Sequence, residues 1–187
     1  MKAKLVILFI FPFAIAFGQS NFRVTNFSMT IDGTSNLHDW QSTVKEVRAT
    51  ASITADAGTL KSINSLYVEI PVKTIKSNKS SIMDSKTYDA LKANKYQNIT
   101  YKLEKVTGMN ARGNTYDITT VGYLTIAGTS NKIDMHVKGS VGGDGSITFS
   151  GSKKIKMTDY KLKPPTALLG TLTTGDEVDI HFQVTLK

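Results

Sequence analysis

Three adjacent side chains carry the densest chemical potential in this chain: His38-Asp39-Trp40, placed just after Gly33-Thr-Ser-Asn36 at the entry to an extended segment. A histidine beside a carboxylate has the parts of a general base or a metal ligand. Neighbouring residues on an extended chain point to opposite sides, however, so Asp39 is badly placed to orient His38. The other two histidines, His136 and His181, fall on the outward phase of separate strands. No HxH or HExxH spacing joins them into a metal site. GxSxG, P-loop and GxGxxG fingerprints are absent as well. Without a cysteine, thiolate zinc sites, iron–sulfur clusters, disulfide frameworks and cysteine nucleophiles are all excluded. The sequence therefore predicts no catalytic residue, no metal and no cofactor. It leaves Trp40 to plug one end of the fold and His38 to hydrogen-bond a loop.

The second feature is cationic. Lys153, Lys154, Lys156, Lys161 and Lys163 form the densest basic stretch. It suits either a solvated strand end or a transient contact with an anionic membrane surface or acidic headgroup. Lys153 shares the parity of Phe149 and Ile155, so either a bulge intervenes or this ammonium points inward.

The elements that must position these residues are strands. From Asn26 onward apolar residues alternate with polar ones. The apolar phases begin with Phe27, Met29, Ile31, then Val47 to Ile53, Leu66 to Val72, and Ile99 to Leu103. They continue through Tyr116 to Ile126, Ile133 to Val141, Ile147 to Met157, and Val178 to Leu186. Among 187 residues there are 23 threonines and only four prolines, a composition that favours strands. Gly142-Gly-Asp-Gly145 reads as a hairpin loop, and Gly108–Asn114 and Gly128–Asn131 as polar loops. One stretch does not alternate: Asp84 to Ala93 reads as a single short helix capped by Asp84, with Tyr88 and Leu91 on one face. Eight strands with one helix to cover them must cover each other. The expected fold is all-β, an eight-stranded antiparallel barrel with one short helix.

The inward phase then becomes the candidate ligand-binding surface: Phe27, Met29, Ala49, Ala51, Leu66, Val68 and Ile70 from the first half, with Tyr101 and Leu103. Gly122, Leu124, Met135, Val137, Phe149, Ile180 and Phe182 complete it from the second half. Small inward residues (Ala49, Ala51, Thr120, Gly122, Gly139, Gly151) either leave an apolar lumen or, for the glycines, mark sharp bends.

The first eighteen residues have the layout of a secretory signal peptide. A basic Met1-Lys-Ala-Lys4 precedes an apolar run from Leu5 to Phe17, and Ala16 and Gly18 supply small residues before Gln19. The run holds 13 residues with Pro12 inside it, whereas a spanning helix needs about 20. Cleavage is expected after Gly18, giving a periplasmic or secreted domain over 19–187. No cysteine follows to take a lipid anchor. Loss of Lys2 and Lys4 lowers the formal charge from +8 to +6. That charge is spread along the chain, which fits a solvated surface in an exported protein better than nucleic-acid binding.

Several blocks in order resemble the YceI-like family: Gly33-Thr-Ser-Asn-Leu-His-Asp-Trp40, Ile70-Pro-Val-Lys-Thr-Ile75, Tyr88-Asp-Ala-Leu-Lys92 with Tyr96-Gln-Asn-Ile99, Gly122–Gly128, and Met157-Thr-Asp-Tyr160 with Pro164–Gly170. The variant with His-Asp-Trp and Pro-Pro-Thr-x-x-x-Gly resembles exported members of the Bacteroidetes type. The resemblance spans about Phe27 to Leu186. It implies a lipocalin-like barrel, a polyisoprenoid or other long-chain amphiphilic lipid as ligand in the lumen, frequent homodimers and no catalytic residue. Leu168 and Leu169 would then line a barrel opening suited to tail-first entry. The rival functions are an enzyme acting on such a lipid with His38 as base, and a filled barrel acting as a protein-interaction module.

Overall fold

A computed structural model describes residues 19–56, 58–167 and 170–187. The strands are β1 (Gln19–Ser35), β2 (Trp40–Val44), β3 (Arg48–Asp56), β4 (Thr59–Pro71), β5 (Ile75–Ser77) and β6 (Asn98–Arg112). They continue as β7 (Thr115–Ile126), β8 (Thr129–Val141), β9 (Ile147–Lys156), β10 (Thr166–Ala167) and β11 (Leu172–Leu186), with one helix, α1 (Ser81–Ala90). Eight of them close a ring in the order β1-β3-β4-β6-β7-β8-β9-β11, and β11 returns to β1. Every pairing is antiparallel. This is the expected eight-stranded barrel. Its cause is visible in β7, where nearly every second residue is buried from Tyr116 to Ile126: side chains alternate across a strand, so one phase fills the interior.

Three short strands escaped the alternation. β2 and β3 pair in succession along the same edge of β1, β5 extends β2, and β10 lies on β11. Strands this short offer too few alternations to register in the sequence. Val72 and Met157, expected in strands, instead begin 3-10 turns at Val72–Thr74 and Met157–Tyr160. The segment from Gly108 to Arg112 is strand, not loop, and the β7–β8 hairpin contracts to Ala127-Gly128, both at positive φ. The helix starts earlier than expected, with Ser80 at the N-cap position but making no side-chain capping bond. Asp84 lies in its first turn and does not cap it. Its carboxylate accepts from the Ser77 backbone N–H (2.7 Å) and pairs with Lys76 (3.2 Å). The hydrogen bond from Lys76 to Tyr88 (2.7 Å), together with Asp84, holds the Lys76 ammonium above its ordinary value. These contacts fasten α1 to β5 at one end of the barrel, the helix end.

The opposite end is packed solid. Ile53, Leu60, Tyr116, Ile147 and Leu186 are almost fully buried there, and each such side chain contributes about 1.5–3 kcal/mol by leaving water. Tyr116 Oη accepts from the Leu60 backbone N–H at 2.9 Å.

Among the described residues the barrel wall is incompletely laddered at two seams. β4 and β6 pair only from Tyr67–Lys102 to Pro71–Asn98, so Thr59–Leu66 and Leu103–Arg112 diverge towards the packed end. Register shifts put extra residues at Lys61 and Asn64 on β4 and at Glu104 and Thr107 on β6. Such bulges bend a strand and end its pairing. β8 and β9 pair only from Val137–Gly151 to Val141–Ile147, so Thr129–His136 and Ser152–Lys156 diverge towards the helix end.

Candidate functional site: the barrel lumen

Inside the ring lies a cavity of about 180 Å³, lined by side chains from all eight barrel strands. Met29, Ala49, Ala51, Leu66, Val68 and Ile70 line it as the alternation expected, as do Tyr101, Leu103, Leu124, Met135, Val137, Phe149, Ile180 and Phe182. A second apolar space of about 120 Å³ lies under α1 and Trp40 at the helix end. It shares Ile31, Ile75, Ile99, Ile126 and Ile180 with the first.

The glycines behave differently from expectation. Gly122 does not line the cavity: a Cβ there would lie 2.5 Å from the Tyr101 ring and 2.7 Å from the Lys102 carbonyl. Gly139 lies against Ile118 and Phe149, and Gly151 against Phe182 and the His136 carbonyl. These glycines seat larger side chains against the wall and do not open a void. Ala49 and Ala51 are the smallest side chains that line the cavity. Phe27 faces inward opposite Val184, but its ring packs against the buried core and does not line the cavity. Leu168 and Leu169 lie outside the described residues, as does the segment from Met1 to Gly18.

Lining residues missed by the sequence pattern have identifiable causes. Ile63 falls out of phase because of the extra residue at Asn64, and Ile75 sits on the three-residue β5.

Few polar groups reach the lumen. Tyr101 Oη and Thr120 Oγ1 hydrogen-bond to each other at 3.2 Å. Burial raises the Tyr101 phenol above its ordinary value, and the Thr120 bond offsets part of that. Lys153 is the one charged residue among the described lining residues. Its ladder with β11 is unbroken from Ile147–Leu186 to Lys156–Glu177, and Lys153 stands opposite Ile180. No bulge intervenes, and the side chain is on the inward face.

His38 lies in an exposed turn. Its Nδ1 is 2.9 Å from the Asp39 carbonyl oxygen, and its backbone N–H donates to Ser35 Oγ at 3.1 Å. Neither contact supplies a carboxylate to orient the ring. Trp40 lies across Gly33, where a Cβ would run into the indole, and donates its N–H to the Thr34 carbonyl at 3.0 Å. It lines the space under α1 from the side of β2. On the outer wall, Asp32 and Asp179 stand opposite each other, with His181 Nε2 3.7 and 3.6 Å from their carboxylates. Among the described residues no group of three His, Asp or Glu is arranged to hold a metal ion.

A family model described as the YceI-like domain matches residues 15–186. Solved structures that share the fold include three from different organisms. One is a polyisoprenoid binding domain from Saccharophagus degradans implicated in plant cell wall breakdown, with TM-score 0.70 and 14% identity, covering 91% of this chain and 99% of that one. The second is Burkholderia cenocepacia BcnA, with TM-score 0.66 and 20% identity over 85% of this chain and 95% of that one. The third is the Campylobacter jejuni YceI protein, with TM-score 0.58 and 24% identity over 77% and 82%. No curated protein sequence matches the chain.

Proposed function

We propose that this chain, which belongs to the YceI-like domain family, is an exported carrier that holds a long-chain amphiphilic lipid, of the polyisoprenoid or isoprenoid-quinone kind, in its barrel lumen. The observation that carries this reading is the apolar cavity between the eight barrel strands, whose described lining holds one charge, Lys153. Such a surface has nothing to offer a hydrophilic metabolite, whereas each methylene of an aliphatic chain gains about 0.8 kcal/mol by entering it. The polyisoprenoid binding domain from Saccharophagus degradans has the same fold and supports the choice of ligand class. The basic, apolar and small-residue layout of Met1–Gly18 supports export to the periplasm or beyond. A carrier is favoured over an enzyme because His38 is exposed and has no carboxylate partner.

The test is native mass spectrometry of the purified protein before and after organic extraction. A co-purifying lipid of discrete mass, lost on extraction and regained from a polyprenol or quinone, is the expected result. A protein that carries no lipid and takes up none sinks the carrier reading. Release of a chemically altered lipid, lost in His38→Gln, would replace it with the enzyme.

A further inference from the structure

We propose that the lumen selects lipids with an anionic headgroup, a carboxylate or a phosphate, which docks on the Lys153 ammonium at the β8–β9 seam while the tail runs towards the packed end. This inference rests on the carrier reading and names the ligand's polar half.

The placement of Lys153 is unlike that of its neighbour. Lys154, on the outward phase, meets Glu177 at 3.1 Å, with both side chains more than half exposed. That is an ordinary surface pair, screened by solvent. Lys153 is on the inward phase and only 25% exposed. Its nearest carboxylate, Asp134 across the seam, is 73% exposed and 3.6 Å away. That distance is an ion pair but lies beyond hydrogen-bond range of about 3.2 Å. Among the described residues no acceptor hydrogen-bonds the ammonium. The ammonium sits at the seam between the apolar lining and the exposed, outward-phase Asp134, with three donors that no described acceptor takes up in a hydrogen bond and that an anionic headgroup would engage.

The seam supplies the route. The β8–β9 ladder stops at Val137–Gly151, and continuing its register sets Met135 opposite Lys153. Thr120 pairs with Met135 on the other side, so the ammonium and the Tyr101–Thr120 hydroxyl pair share one layer of the barrel. Below that layer, Ala51, Ile118, Phe149 and Val184 offer only apolar contact. A headgroup at Lys153 would lie where the wall parts, with its tail in the cavity.

The experiment measures binding of matched lipids to the purified, delipidated protein: oleate against oleyl alcohol, and geranylgeranyl phosphate against geranylgeraniol. Each anion should bind about tenfold more tightly than its alcohol, or ~1.4 kcal/mol. Lys153→Gln should remove that preference, while Lys153→Arg should keep it. Asp134→Asn, which removes the competing carboxylate, should strengthen anion binding about threefold, or ~0.7 kcal/mol. The preference should also weaken with added salt. Whichever anion shows the larger preference identifies carboxylate or phosphate as the headgroup. Equal binding of anions and alcohols by the unmodified protein, or a preference that survives in Lys153→Gln, overturns the proposal and leaves the carrier intact. Saturable binding of inorganic phosphate alone overturns it by making Lys153 a free-anion site. Failure to bind any of the four lipids overturns both readings.

Discussion

At the β4–β6 seam the cavity is bordered by Ile63, Leu66 and Leu103; at the β8–β9 seam it is bordered by Ile133, Met135 and Lys153. The first is apolar on both sides and arises where strands carry bulges at Lys61, Asn64, Glu104 and Thr107. The second is built from strands whose ladders with β7 and β11 are regular, and it is bridged by polar groups. Asn131 Nδ2 donates to the Asp159 carbonyl at 2.8 Å, and Lys153 faces Asp134. The two seams also lie towards opposite ends of the barrel. The difference teaches that an apolar lumen can be given a direction. One border is apolar, while the other places a charge beside water, so the two borders of the lumen differ in polarity.

The largest expected effect breaks the apolar side at its base. Tyr116 accepts from the Leu60 N–H beside the bulge at Lys61. Tyr116→Phe leaves that buried donor unsatisfied and should cost about 2 kcal/mol in urea unfolding. A cost near zero would mean the seam does not depend on this bond.

A charge placed at the same seam tests whether its apolar character matters to the ligand. Leu66 stands just past the last β4–β6 pair. Leu66→Asp should weaken binding of a neutral long-chain alcohol about tenfold, or ~1.4 kcal/mol. Lys153→Gln should leave that same measurement nearly unchanged. Equal sensitivity at both positions would erase the distinction between the seams.

The smallest effect concerns acid. Asp176 accepts from the Thr158 hydroxyl (2.6 Å) and backbone N–H (2.9 Å), fixing the turn that supplies Asp159 to the β8–β9 seam. The Thr158 side-chain bond, more than any other contact, holds the Asp176 carboxyl below its ordinary value. A depressed carboxyl stabilises the fold above its unfolded-state pKa of about 3.9. That contribution fades as pH falls through the lower folded value. Thermal unfolding followed from pH 6 downward should show a loss below about pH 4. Asp176→Asn should be less stable at pH 6 and lose less on acidification. A parallel loss in both proteins would assign the acid sensitivity elsewhere, for instance to Asp144. That carboxyl is also held low, chiefly by the Ser146 hydroxyl, then by Lys187.

Much of the barrel was legible because alternation is a local consequence of strand geometry. Residues two apart share a face wherever the strand runs. Eight such runs with one short helix left closure as the way to bury eight apolar faces. The same parity brought Met29, Ala51, Val68, Tyr101, Leu124 and Phe182 to the lumen. Parity also left Lys153 with two readings, inward or bulged.

What the chain's order of residues determined by itself was which side chains share a face along a strand without bulges, because that depends on period alone. The tertiary structure decided whether an inward position is empty or occupied, because that depends on what the neighbouring strand sends across it. Gly122 proved to be the seat of Tyr101, whose partner row is set by the β6–β7 register. Ile63 reached the cavity only because the extra residue at Asn64 reversed the local phase. For Lys153, the unbroken β9–β11 ladder fixed its direction, and the end of the β8–β9 ladder placed it at a seam. Both are long-range pairings, and no local pattern encodes where two distant strands stop touching.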